Sequence, residues 1–217
     1  MLGLLKKDYI IIKKQYHIIL LFSILAIVNC YSNQFSFTYV FTTFLCINIG
    51  LNTITYDQSD NSLPFLFTLP IKRSTYVKEK YLLILTLMGA SIVYCVTIHG
   101  ILALLLDNVN FNTVDLYSPD SLWSLVITSL VTSLVYSSII IPLYLKFGSE
   151  KARMLTYIVV ITIFILALTF SKISGFLVFN QVFDNNISIS TLTIIILFIT
   201  SLIFFVSSKI SKKVMVI

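Results

Sequence analysis

Apolar stretches free of Lys, Arg, Asp and Glu recur along the chain, and the short segments between them gather the charge. They fall at 17–31, 35–56, 81–106, 122–145, 154–170 and 187–208. A helix needs about 20 residues to cross the hydrocarbon core of a bilayer, so each stretch predicts one membrane span. The first and fifth are short. Tyr16, Tyr31 and Lys172 at their ends can sit at the interface and complete the crossing. The expected fold is an all-α integral membrane protein whose residues 17–217 form a six-span domain.

Residues 1–16 follow a different pattern, too polar to span and too apolar for a loose tail. On a helix Lys6 and Lys13 stand nearly in line, as do Lys7 and Lys14. Leu2, Leu5, Tyr9, Ile12 and Tyr16 make an apolar stripe at spacings of three and four. The expectation is an amphipathic helix lying in the interface, with Lys6, Lys7, Lys13 and Lys14 toward water or headgroups and Tyr9 within the apolar face. The alternative is a plain extension of the first span carrying ordinary flanking lysines.

Composition agrees with the pattern. Of 217 residues, 58% are hydrophobic and only 11% charged, against roughly 25% charged in an average soluble domain. A water-soluble fold, a disordered chain and a nucleic-acid-binding surface are all excluded by these figures. The three cysteines, Cys30, Cys46 and Cys95, lie in apolar runs with no CxxC spacing, so they read as small packing residues. Ile18–Val28 has the length of a signal core, but no small-x-small site follows it, and it is expected to remain as a span.

Charge also orients the spans. With six crossings, one side holds Lys6, Lys7, Lys13, Lys14, Lys72, Arg73, Lys78, Lys80, Lys146, Lys151, Arg153, Lys209, Lys212 and Lys213, and Lys172 alone stands on the other. By the positive-inside rule both termini are then cytoplasmic, and the location is the cell membrane. The net charge of +6 reflects this topology, with some attraction to anionic membrane lipid.

The segment 57–80, between the second and third spans, is long for a connector. It opens polar with Asp57 and Asp60, residues suited to helix capping. Leu63, Phe65, Leu66, Phe67 and Leu69 follow as an apolar block between Pro64 and Pro70, then the basic pair Lys72-Arg73. On the cytoplasmic face such a block would dock a partner, apolar side chains in a groove and Lys72 and Arg73 at its rim. Loss of Phe67 with Arg73 would then weaken that association. The other reading is a hairpin folded back on the protein's own helix ends.

Asp57, Leu69-Pro70-Ile71, Arg73 and Val77 through Lys80-Tyr81, placed after a second span, resemble the permease subunits of ABC-2 type ATP-binding-cassette exporters. In particular they resemble the small stand-alone permeases of Gram-positive peptide exporters, such as the phenol-soluble modulin exporter. The resemblance implies that the loop carries a coupling helix seated in a separate ATP-binding subunit, which holds the ATP and magnesium. It implies a second permease chain, the same or homologous, around a central path. It also implies short helices closing an outer gate at Ser171–Asn186.

No chemistry of its own is expected. The chain lacks a G-x-x-x-x-G-K-[ST] phosphate loop, a G-x-S-x-G and an H-E-x-x-H. It is expected to bind no cofactor or metal and to be no enzyme. His99 is the one ionisable residue within a span, read as a helix-to-helix hydrogen bond or a cargo contact. Thr38, Thr42, Asn48 and Asn52 in the second span, and Ser124, Thr128, Thr132 and Tyr136 beside Ser129, Ser133 and Ser137 in the fourth, either pack helices closely or line a wet path. The function expected is ATP-driven export of a hydrophobic or amphipathic cargo, a membrane-active peptide above all. The rival is a membrane-bound accessory or immunity-type protein that binds a toxin, lipid or sensor kinase without transport.

Overall fold

The computed structural model describes residues 2–31, 35–59, 62–68, 72–106, 119–158, 160–161 and 189–215. They are helical almost throughout: α1 (Leu2–Lys14), α2 (Tyr16–Tyr31), α3 (Phe35–Ser59), α4 (Ser62–Thr68), α5 (Arg73–Leu106), α6 (Pro119–Phe147), α7 (149–158) and α8 (Ile189–Val214). Four segments within them are long and apolar enough to cross a membrane: Phe37–Gln58, Arg73–Ile101, Leu122–Phe147 and Ile195–Val214. The expected first span coincides with α2, whose 16 residues extend about 24 Å. The expected fifth begins inside α7, and its residues 162–170 lie outside the described residues, as does the segment Ser171–Asn186.

The helices run past the charge-free stretches: α3 continues through Asp57 to Ser59, and α5 starts at Arg73. Charge normally marks where a span leaves the membrane, but Asp57 and Lys80 face each other inside the bundle and so do not terminate their helices. The segment 57–80 is therefore mostly helix, with α4 inside the remaining connection.

α3 is the central post, packing against α1, α2, α4, α5 and α6. Ile47, Leu51 and Ile54 of α3 meet Ile84 of α5 and Ile140 and Ile141 of α6 in the main core, each essentially inaccessible. Gly50 brings α3 and α5 together: a Cβ there would stand 2.9 Å from Leu87 and 3.2 Å from Ile84, the close approach that small residues give membrane helices.

Pro142 lies inside α6 and has no N–H to offer the carbonyl one turn earlier, that of Ser138. Ser207 of α8 donates its hydroxyl to that carbonyl oxygen at 2.6 Å. Tyr81 of α5 hydrogen-bonds the Ser207 and Ser211 hydroxyls at 2.7 and 2.8 Å. The acceptor freed by proline thus joins α5, α6 and α8, as required where lipid supplies no donor. On α6, Ser129, Ser133 and Ser137 are buried while Ser124, Thr128 and Thr132 are exposed. The Ser133 and Ser137 hydroxyls bond their own helix, to Leu130 and Leu134 carbonyls, so this row packs against neighbouring helices.

Away from the core, Phe198, Ile199, Leu202, Phe205 and Val206 leave α8 with a broad exposed apolar face, suited to lipid and far larger than water-soluble proteins carry.

Candidate coupling site at the basic end of the bundle

Leu4 of α1, Leu66 of α4 and Tyr76 of α5 form a small core, with Leu63, Phe67, Leu145 and Met215 packed against it. The beginning of the described chain, its end, and the α3–α5 connection therefore meet at one end of the bundle. Among the described residues, that end also holds Lys72, Arg73, Lys146, Lys151 and Arg153 next to helix termini.

α4 divides the predicted apolar block between two surroundings. Leu66 is buried, and Leu63 and Phe67 are partly so. The Phe67 ring stands edge-on to Tyr76, with centroids 6.1 Å apart, and the Arg73 guanidinium lies 5.5 Å over its face. Arg73 also donates to the Met215 carbonyl at 3.0 Å. Phe67 and Arg73 thus make contacts within the chain, the ring partly buried against Tyr76 and the guanidinium exposed over its face. Phe65 points the other way and is 71% exposed. Pro64 is exposed beside it, as is Lys72. Asp60, Leu69 and Pro70 lie outside the described residues.

Beneath α4 lies a buried ionic cluster. Lys80 of α5, 1% exposed at its side chain, donates to Asp8 of α1, which is fully buried. It also donates to the Thr53 hydroxyl of α3 at 3.0 Å and lies 3.1 Å from Asp57. Asp57 receives Lys7 of α1 at 2.5 Å on one oxygen and the Tyr76 hydroxyl at 2.9 Å on the other. The Lys80 ammonium also sits 5.2 Å over the Tyr76 ring. One cluster therefore pins α1, α3 and α5 together directly under the seat of α4.

Asp57 corrects the sequence reading. It is neither a cap nor part of an exposed docking loop but a buried acceptor in the last turns of α3. Its carboxylate is stable there because two ammonium groups and a phenol replace its lost hydration. Asp8, Tyr76, Glu79 and Lys80 are functional candidates that pattern reading passed over. A signal for Asp8 exists: it stands one helical turn from Leu4 and from Ile12, a carboxylate in line with apolar residues.

The cluster holds three carboxyl groups, those of Asp8, Asp57 and Glu79, against the two ammonium groups of Lys7 and Lys80. Lys80 is 3.9 Å from a Glu79 oxygen, beyond hydrogen-bond reach, and a buried carboxyl group in that position costs stability. Glu79→Gln is expected to raise the unfolding midpoint of the purified protein, by the equivalent of about 1 kcal/mol, measured by intrinsic fluorescence on heating in detergent.

On α1, Lys6, Lys13 and Lys14 are exposed and Lys7 is half-turned into the cluster. Tyr9 is exposed, whereas Leu5 and Ile12 of the same stripe pack on the core. Tyr9 therefore lies off the contact with the bundle, displaced from it by Asp8.

The residues expected along a path do not share one space. Thr38 and Thr42 are buried between helices, and Thr42 lines an apolar cavity of about 250 Å³ with Cys46 and Tyr94. Asn48 accepts from the Tyr136 hydroxyl at 3.2 Å and donates to the Phe44 carbonyl at 2.8 Å. Asn52 opens instead on a polar cavity at the basic end. His99 is buried, with its Nδ1 3.4 Å from the Tyr39 hydroxyl, a contact between α3 and α5. No group of three or more metal-ligating side chains occurs among the described residues.

Residues 3–215 match a family model described as ABC-2 family transporter protein. No curated protein and no solved structure gives a match.

Proposed function

The chain belongs to the ABC-2 transporter family, and on that premise we propose that it is the permease subunit of an exporter driven by a separate ATP-binding subunit. The basic end is cytoplasmic, with both termini there, and the helix count is completed to six by α2 and by a span beginning in α7. α4 is the coupling helix, and Phe65 is its contact with the ATPase, which holds the ATP and magnesium.

One observation carries this reading. α4 presents an exposed aromatic residue on a helix tied through Leu66 and Phe67 to Tyr76, and through Tyr76 to the cluster joining α1, α3 and α5. A push on α4 would be felt at once by three helices, because the contacts beneath it are dry and charged rather than flexible. Asp57, Lys7, Asp8 and Lys80 act in this reading as positioning residues.

The cargo is hydrophobic or amphipathic, as in the small peptide exporters of Gram-positive bacteria that the chain resembles, with a membrane-active peptide the first choice. A second permease chain completes the path. The scarcity of charge within the described spans supports such a cargo.

Purification of the tagged chain from its native membrane in mild detergent tests the proposal. An ATP-binding subunit in stoichiometric amount is the expected companion. Recovery of the chain alone, or with a kinase or toxin after cross-linking, would replace the transport reading with that of an accessory or immunity-type binding protein.

A further inference from the structure

A cavity of about 920 Å³ opens between the last turns of α3, the start of α4 and the corner joining α6 to α7. It is separate from the ionic cluster. Its lining includes Asn52, Gln58, Leu63, Phe147, Lys151 and Arg153. We propose that it holds the headgroup of an anionic phospholipid from the leaflet at the basic end.

Position comes first. Every wall is the end of a helix, and three of the four contributing helices are α3, α6 and the opening of α7, at the depth where spans leave the hydrocarbon. A space at that depth meets headgroups on its open side. Leu63 and Phe147 give it an apolar portion beside the polar one, the mixed lining that a glycerophosphate with its first acyl carbons would fill. A bare phosphate would leave most of that volume empty.

Charge comes second. Among the described lining residues Lys151 and Arg153 stand with one acid, Glu150, an excess of one positive charge. Lys7 and Lys80 are consumed by carboxylates in the cluster, but neither Lys151 nor Arg153 forms an ion pair among the described residues. Both side chains line the cavity, and the guanidinium, by its paired donors, suits a phosphodiester.

A third observation concerns the wall itself: Gln58 donates its amide N–H to the Tyr144 carbonyl at 3.0 Å, satisfying one of the last carbonyls of α6 and tying α3 to α6 beside the cavity.

The test uses the full-length chain purified in mild detergent, with dioctanoyl phosphatidylglycerol, dioctanoyl phosphatidylcholine and inorganic phosphate as probes and the dissociation constant as readout. Phosphatidylglycerol should bind at least roughly tenfold more tightly than phosphatidylcholine, and Lys151→Gln with Arg153→Gln should abolish that preference. Lys151→Gln alone should lose part of it. Lys209→Gln with Lys213→Gln removes the same charge from exposed positions outside the cavity and should leave the preference intact. Equal affinity for the two lipids, retention of the preference by the Lys151 and Arg153 variants, or an equal loss in the Lys209 and Lys213 control would overturn the site. Phosphate binding as tightly as phosphatidylglycerol would overturn the lipid and leave a small-anion site. None of these readouts involves an ATPase, so the outcome is independent of the exporter proposal.

Discussion

Replacing Lys80 with methionine is expected to destabilise the protein more than any other single change in the described helices, by about 3–5 kcal/mol. Lys80 is the cation shared by Asp8 and Asp57, and it lies 3.9 Å from Glu79. Methionine matches the length of the side chain and leaves three buried carboxyl groups around one remaining ammonium, that of Lys7. Lys7 is 34% exposed at its side chain and approaches from the rim, so it cannot take over the position between α1 and α5. The same variant also strips Thr53 of its donor, a smaller loss of about 1 kcal/mol. Heating in detergent, followed by intrinsic fluorescence or by aggregation, should show a large drop in midpoint.

A second variant separates charge from packing. Lys80→Met with Asp8→Asn removes one buried carboxylate together with its cation while keeping the apolar replacement, and it should recover a substantial part of the loss. Coupling of this sign between two residues in contact is what a double-mutant cycle detects. Additive destabilisation would show that Lys80 matters for its shape, and the cluster would no longer account for how α1 is held. Recovery would establish that the opening helix is attached through charge, and that its attachment depends on the same two carboxylates that sit beneath α4.

How much of this was visible in the sequence depends on which physical signal each element leaves. The apolar runs leave a long one, and α3, α5, α6 and α8 lie where charge-free stretches predict spans. Their limits at the basic end leave no such signal, because Asp57 and Lys80 pair inside the bundle instead of ending their helices. Asp57 and Lys80 carry opposite charges at positions 57 and 80 with no local pattern to connect them, and only the antiparallel approach of α3 and α5 places them 3.1 Å apart. Asp8 is harder still, since its partner Lys80 lies on a different helix far along the chain. The choice between an exposed block and a folded-back hairpin at 63–67 could not be made from composition. The fold answers with both, Leu66 inward and Phe65 outward, since neighbouring residues on a helix point about 100° apart. That Ser207 satisfies the carbonyl Pro142 frees was not legible, because nothing in either segment marks the other.

Phe65→Ala is expected to weaken association with the ATP-binding subunit by about 2 kcal/mol, roughly 30-fold in the dissociation constant, while leaving the unfolding midpoint unchanged. The two halves of that expectation come from one fact. A ring 71% exposed contributes little to the fold of the isolated chain, so its removal costs little there. If α4 docks, the same ring passes from water into a protein groove, and burying a phenylalanine side chain is worth about 1.5–3 kcal/mol. Phe67→Ala, two residues on, should behave in the opposite way. It gives up the contacts with Tyr76 and Arg73 and lowers the unfolding midpoint, and its effect on association follows only from disturbing the helix. Comparing the two variants by co-purification and by thermal unfolding therefore reads α4 from its outer and inner faces. A Phe65 variant that retains its ATP-binding partner at full stoichiometry would remove α4 as the docking element. The ionic cluster beneath it would then be a support for α1 alone. A Phe65 variant that is stable and inserted but has lost the partner would place the first contact of the energy-transducing step on a single side chain. From there the path inward runs through Leu66, Tyr76 and Asp57 to the three helices that Lys80 holds together.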